Sequence, residues 1–268
     1  MIGLRRMSRV KSDLYRKFFL LKEMVVRDLR SRYAGSGLGI LWAFASPILW
    51  MVVYTMVFSG ILRVPSPARY ASFPEFLLAG LLPWMAIHEG VSRSATALTD
   101  NAAMVKKTVF PLETLVLSVV LSAAVNQVIA MGIFAIYVAA IGHLSLPWLL
   151  MAAPALLIQL AMTFGIGCFV ATATTFLRDV AHGISVLLTV VFYATPIVYP
   201  ASLLPARYRW ILAVNPVAHL ADWYRRAFTL HTAPEISSVI YLCVFAGLAA
   251  TLGAALFARA RPHFADLI

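Results

Sequence analysis

"NAAMVKKTVFPLETLVLSVVLSAAVNQVIAMGIFAIYVAAI", residues 101–141, sets two lysines, a proline and a glutamate against 28 residues that contain no Lys, Arg, Asp or Glu. About 20 apolar residues cross the hydrocarbon core of a bilayer. Residues 114–141 therefore predict a membrane span, and Lys106, Lys107 and Glu113 predict its aqueous flank. The same pattern repeats outward along the chain. Apolar windows lie at 38–62, 73–92, 147–176 and 237–257, and a shorter one at 184–199 reaches span length with its flanking residues. Over 268 residues the composition is 62% hydrophobic and 12% charged, whereas charged residues make up roughly a quarter of an ordinary soluble domain. The fold class expected is an all-α integral membrane protein with six transmembrane helices.

Six spans put both termini on one side, and the basic residues choose the side, because Lys and Arg are retained in the cytoplasm. With the N-terminus inside, 16 of the 22 Lys and Arg fall in inner segments and 6 in outer ones. The net charge of +11 is read as this orientation signal and not as a nucleic-acid footprint. The expected organisation is a cytoplasmic N-terminus at 1–37, a six-helix domain at 38–257 and a cytoplasmic tail at 258–268. Within the domain, 93–113 is a cytoplasmic segment and 200–235 an outer one. Ten basic residues before position 33 and the long apolar run that follows them do not fit a cleavable signal, so the first span is expected to be retained. Cys168 and Cys243 sit in apolar runs without metal-ligand spacing and are read as small core residues.

Residues 12–33, "SDLYRKFFLLKEMVVRDLRSRY", have helical periodicity, with Leu14, Phe18, Leu21, Val25 and Leu29 on one face and Arg16, Glu23, Arg27 and Arg30 opposite. That pattern predicts an amphipathic helix lying along the inner leaflet. "GSGLG", Gly35 to Gly39, then breaks the chain; it lacks the strand and the final glycine of a dinucleotide fingerprint. In Pro200 to Glu235 the apolar pieces are about ten residues each, too short to span, and are split by Pro205 and Pro216. They predict re-entrant or interfacial helices before the last span, with Tyr208, Trp210, Trp223 and Tyr224 suited to the headgroup layer.

Catalysis would require convergent polar groups. His88 and Glu89 are adjacent and do not form HExxH, and there is neither a GxSxG nor a phosphate loop. A membrane-embedded transferase using Glu89, Asp222 and Arg225 stays open as an alternative, as does an ion channel, although no charged or carbonyl-rich filter repeat is present. If ATP powers this protein, another chain binds the nucleotide. Within the spans, Glu89, Arg93, Asn126, Gln127 and Gln159 are costly groups that face a partner or a water-filled path. Glu89 and Arg93, four apart, also fit an internal ion pair. Trp42, Phe44, Trp50, Tyr54 and Phe58 crowd the first span, with Trp50, Tyr54 and Phe58 at four-residue spacing on one face. That stripe fits either packing on a neighbouring helix or a stacking surface for the apolar faces of sugar rings.

Three stretches, "RDLRSRYAGSGLGILWAFASPILWMVVYTMVF", "LLAGLLPWMAIHEGVSRSATALTDNAAMVKKTVFPLE" and "YATPIVYPASLLPARYRWILAVNPVAHLADWYRRA", resemble in order the permease subunit of polysaccharide-exporting ABC transporters, which carry lipid-linked O-antigen, related surface glycans or teichoic acids. The resemblance implies a multi-pass protein of a bacterial inner membrane and a homodimer of six-helix permeases above two separate ATP-binding subunits. ATP and Mg would then be held by those partners, and this chain would need no cofactor or metal. It implies that Thr99 to Pro111 is the main coupling segment and Phe176 to Gly183 a shorter second contact. Asp100, Asn101, Lys106, Lys107, Arg178 and Asp179 would meet the ATPase, together with Arg27 and Arg30 of the entry helix. Trp42, Trp50, Tyr54, Phe58, Glu89 and Arg93 would line the path of a lipid-linked polysaccharide, and membrane lipid would surround the rest. A polymer of many repeats does not fit one alternating-access cavity, so a continuous channel at the dimer interface is the expected mechanism. A permease of the same fold carrying drugs or lipids is the alternative reading, and a glycan-modifying enzyme a more distant one.

Overall fold

The computed structural model describes residues 18–32, 35–107 and 111–268, and among these the chain is helical, without a strand. Helix α1 (residues 18–32) precedes the glycine-rich turn, where Gly35 and Gly39 take positive φ. Helix α2 (Trp42–Thr55) widens into a π-helical stretch, Met56–Ile61. There follow α3 (Phe73–Thr96), a 3-10 turn Thr99–Asn101 leading into α4 (Ala102–Lys107), α5 (Glu113–Ala140), the short α6 (Leu146–Leu149), α7 (Ala152–Phe176) and α8 (Asp179–Ala194). Two 3-10 turns lead to α9 (Trp210–Val214) and α10 (Pro216–Arg225), then α11 (Ile236–Ala260) and α12 (Phe264–Leu267).

Among the described residues, four helical stretches are long and apolar enough to cross a membrane: Trp42–Ile61, Glu113–Ala140, Leu146–Phe176 and Ile236–Leu267. The other two expected spans coincide with α3, whose 24 residues include Glu75, Glu89 and Arg93, and with α8, which has 16 residues. Composition sets the first apart and length the second. Helix α3 is the central element, buried along nearly its whole length and packed on α5, α7, α8 and α10. Its start is capped by Ser72, whose hydroxyl accepts from the Glu75 N–H at 3.5 Å and donates to the Glu75 carboxylate at 3.0 Å.

Helices α7 and α11 approach until their backbones touch. A Cβ on Gly165 would overlap the Ala249 backbone, and one on Gly253 would overlap the Gly165 carbonyl. Between apolar helices in lipid, close packing of this kind replaces the hydrophobic drive available in water.

The chain between α8 and α11 folds inward more than its composition suggests. Tyr208 and Trp210 are exposed, as suits anchors, but Trp223 and Tyr224 are buried. The Trp223 indole donates to the Met151 carbonyl at 3.1 Å. The Tyr224 hydroxyl joins Gln127 of α5 at 2.9 Å and Gln159 of α7 at 3.0 Å, while the two amides bond each other at 3.1 and 2.7 Å. Their polar groups find partners inside the bundle, which removes the need for the headgroup layer. Cys168 is buried as expected, whereas Cys243 is exposed on α11.

Candidate functional site

The candidate residues cluster at two levels joined by α1 and α3. At the first level, two adjoining cavities share Trp50, Met85 and Glu89. One, of about 280 Å³, lies between α2, α3 and α5, with Arg32, Glu89, Asn126 and Gln127 as its polar wall. The other, of about 350 Å³, is walled by Trp50, Tyr54, Trp84 and His88. Asn126 donates to Glu89 at 3.4 Å, and its buried carbonyl oxygen has no partner among the described residues.

The stripe of aromatic residues on α2 forms a ladder. Ring centroids are 5.8 Å apart for Trp50 and Tyr54, 6.2 Å for Tyr54 and Phe58, and 6.1 Å for Phe58 and Phe73 of α3. The two ends of this stripe meet different surroundings. Trp50 and Tyr54 face the cavities, while Phe58 continues the ladder into the packed start of α3. Trp42 lines neither cavity.

Glu89 and Arg93 pair at 3.6 Å, but their nearer partners come from α1. Arg93 donates to the Asp28 carboxylate with both terminal nitrogens, one at 2.9 Å, and Arg32 pairs with Glu89. Asp28 and Arg32 also meet at 3.4 Å within α1. Burial works against the charge on Asp28, but the hydrogen bond and charge of Arg93, with Arg32 beside it, hold its carboxyl below the ordinary value. It is therefore ionised at neutral pH.

The inward face of α1 carries Met24, Asp28 and Arg32 at four-residue spacing, with Met24 buried, while Phe18 is 67% exposed. This inward face is distinct from the apolar face of Phe18, Leu21, Val25 and Leu29 expected to lie on the inner leaflet. A charged stripe can face inward here because Glu89 and Arg93 on α3 supply the opposite charges. Leu14 and Arg16 lie outside the described residues.

At the second level are the expected coupling residues. The Arg27 guanidinium donates to the Asn101 side-chain carbonyl at 3.1 Å and touches the Met104 sulfur at 3.8 Å. Asn101 in turn caps the Ala97 carbonyl, and Thr96 donates to Asp100 at 2.8 Å. Arg30 and Lys106 are exposed. Lys107 ends α4, and 108–110 lie outside the described residues. Arg178 and Asp179 are exposed at the start of α8, apart from α4. The same end of the bundle gathers α12 as well: Phe264 is fully buried among Leu98, Val105, Leu112, Cys168 and Phe257.

The trio posited for a transferase does not converge. Asp222 pairs with Arg226 at 2.6 Å, Arg225 with backbone carbonyls, and Glu89 with α1. Sequence reasoning missed Asp28 and Arg32. The signal available was a second acid–base pair at i, i+4, in the same order as Glu89 and Arg93.

Residues 20–229 match the family model described as ABC-2 type transporter. The chain is 32% identical over 264 residues to the O-antigen export system permease protein RfbA of Myxococcus xanthus, covering 98% of this chain and 100% of that one. It is 30% identical over 264 residues to the protein of the same name from Klebsiella pneumoniae, covering 97% and 99%. It is 24% identical over 239 residues to the polysialic acid transport protein KpsM of Escherichia coli, covering 88% and 92%.

Proposed function

We propose that this chain, which belongs to the ABC-2 type transporter family, is the membrane-spanning permease of an ATP-driven exporter of a lipid-linked polysaccharide. The observation that carries this reading is the end-to-end likeness to O-antigen export permeases. The chain works as a transport subunit, and the nucleotide belongs to a partner ATPase. A second copy of the chain completes the permease in the bacterial inner membrane, two ATPases lie beneath it, and both termini are cytoplasmic. Six crossings follow when α3 and α8 are counted as spans. Helix α3 does not expose its carboxylates to lipid, because Glu75 is buried beside His143 and Glu89 is paired.

The re-entrant reading of α10 is supported by depth. Tyr224 bonds Gln127, the fifteenth of the 28 residues of α5. If α5 crosses the bilayer, the tip of α10 comes close to mid-membrane. Trp50 and Tyr54 offer ring faces to the apolar sides of sugars, and Glu89 and Asn126 offer polar partners to hydroxyl groups. Arg27 would carry the movement of α4, driven by ATP-dependent closure of the ATPases, towards this cavity.

The test is complementation: with its ATPase partner, the chain should bring polysaccharide to the cell surface in a strain lacking its own exporter. Glycan that stays inside while the complex assembles would favour a drug or lipid exporter. In the same assay, Lys106→Glu should leave the amount of permease unchanged, since Lys106 is exposed and an exposed charge contributes about 0 to 1 kcal/mol to stability, yet lower export. A cysteine at Lys106 should be labelled from the cytoplasmic side only.

Tyr54 tests the path. Tyr54→Ala should slow export per assembled complex by about two- to tenfold, the equivalent of one lost stacking contact, and Tyr54→Phe should restore it. If Tyr54→Ala instead lowers the amount of complex and leaves export per complex intact, the ring serves packing alone.

A further inference from the structure

Four charges lie in a square between α1 and α3. Two pairs cross between the helices, Arg32 with Glu89 and Asp28 with Arg93, the latter at 2.9 Å. Two pairs run within a helix at i, i+4: Asp28 with Arg32 at 3.4 Å and Glu89 with Arg93 at 3.6 Å. Every neighbour around the square has the opposite sign, and its net charge is zero. The cross pairs are the closer ones here, and Arg32 and Glu89 both line the 280 Å³ cavity.

This arrangement has two ways of satisfying the same four charges. If α1 moves away from α3 as a rigid body, both cross pairs break, but each charge keeps its partner one turn away on its own helix. Breaking a partly buried ion pair normally strands a charge, and that is what makes it costly. Partner exchange avoids the stranding, so the two arrangements can lie close in free energy, as a switching element requires. The same α1 holds the coupling segment through Arg27, five residues from Arg32 and so about 7.5 Å along the helix axis. A pull on Asn101 and Met104 through Arg27 is therefore delivered to the mouth of the cavity.

We propose that Asp28, Arg32, Glu89 and Arg93 form a partner-exchange gate: cross-paired, they hold α1 over the cavity, and paired within their helices, they let it open. The inference rests on the reading of this chain as an exporter's membrane subunit. Its first test, however, reads access to the cavity and not transport.

With Cys168 and Cys243 replaced by Ser and the ATPase partner present, Ser46→Cys places a thiol on the cavity wall. A membrane-impermeant maleimide should reach it from the cytoplasmic side about tenfold faster when Glu89→Gln removes the cross pair with Arg32. An unchanged rate would overturn the gate, whatever the substrate is.

A second test separates a gate from a staple. Arg32→Glu with Glu89→Arg restores the cross pair but sets like charges side by side on each helix, so that only the closed arrangement is satisfied. The gate requires slow labelling and little export from a normally assembled complex. Inverting all four charges, with Asp28→Arg, Arg32→Asp, Glu89→Arg and Arg93→Glu, restores the alternation and should recover both. Export per complex at the original level in the two-residue swap would show that the square only fastens α1 in place.

Discussion

Gly253→Ala should leave almost no assembled protein, although it adds a single methyl group in the middle of an apolar helix. The new Cβ would overlap the Gly165 carbonyl on α7, and no side-chain rotation can relieve a clash with backbone. The two helices would have to separate along their whole contact, losing the close packing that holds them together in lipid. Ordinary overpacking costs about 1 to 3 kcal/mol, and a backbone collision belongs at or above the top of that range. Gly247→Ala, about 1.7 turns earlier on α11, is the control: no described atom lies within 4 Å of its added Cβ. Detergent-stable material quantified by size exclusion should fall to background for Gly253→Ala and stay unchanged for Gly247→Ala. Equal amounts for the two would remove the helix contact as a source of stability.

Arg225→Leu should be nearly as damaging, for a different reason. The guanidinium, 4% exposed, donates to the Phe76 carbonyl at 2.9 Å, to Pro196 at 2.7 Å and to Ile197 at 3.2 Å. It also lies over the Phe76 ring at 3.7 Å. One side chain thus ties the start of α3 and the segment just after α8 to α10. Leucine would fill much of the volume but leave those carbonyls without their donor, at about 1 to 3 kcal/mol for each one stranded. Arg225→Lys should rescue only partly, because an ammonium keeps the charge but lacks the planar fork that reaches separate acceptors. Gly80→Ala should reproduce the defect from the other side, since a Cβ there would press into the guanidinium. Loss of folded complex in both Arg225→Leu and Gly80→Ala is the expected pair of results; a stable complex in both would show that the tie is dispensable.

Periodicity made some of this legible in advance and left the rest unreadable. The apolar runs of α5 and α7 announce themselves, because a helix that crosses lipid must satisfy its backbone internally and cover itself with apolar side chains. The ladder from Trp50 to Phe58 is equally plain, since four-residue spacing puts rings on one face. What a face meets is a separate matter. Trp223 and Tyr224 look like interfacial anchors by type, yet both are buried, because Gln127, Gln159 and the Met151 carbonyl await their polar ends. Asp28 and Arg32 look like the wet side of an amphipathic helix, and only the position of α3, some 60 residues later, turns them inward. Arg225 counts as an outer-loop charge until the carbonyls that surround it are known. In each case the missing information is the partner across the fold, which no local spacing records.

The amide pair of Gln127 and Gln159 also bears on how the chain is made. Ribosomes deliver α5 first, and until α7 follows, the Gln127 amide sits in a span with nothing to bond. Once both helices are in the bilayer the two amides can satisfy each other, which gives this hairpin a reason to close early. The Tyr224 hydroxyl is synthesised 65 residues after Gln159 and can join the pair only then, and Gly253 can meet Gly165 only later still. The order of the sequence is thus also an order of biogenesis, in which each newly inserted polar or glycine surface finds its counterpart already waiting in the membrane.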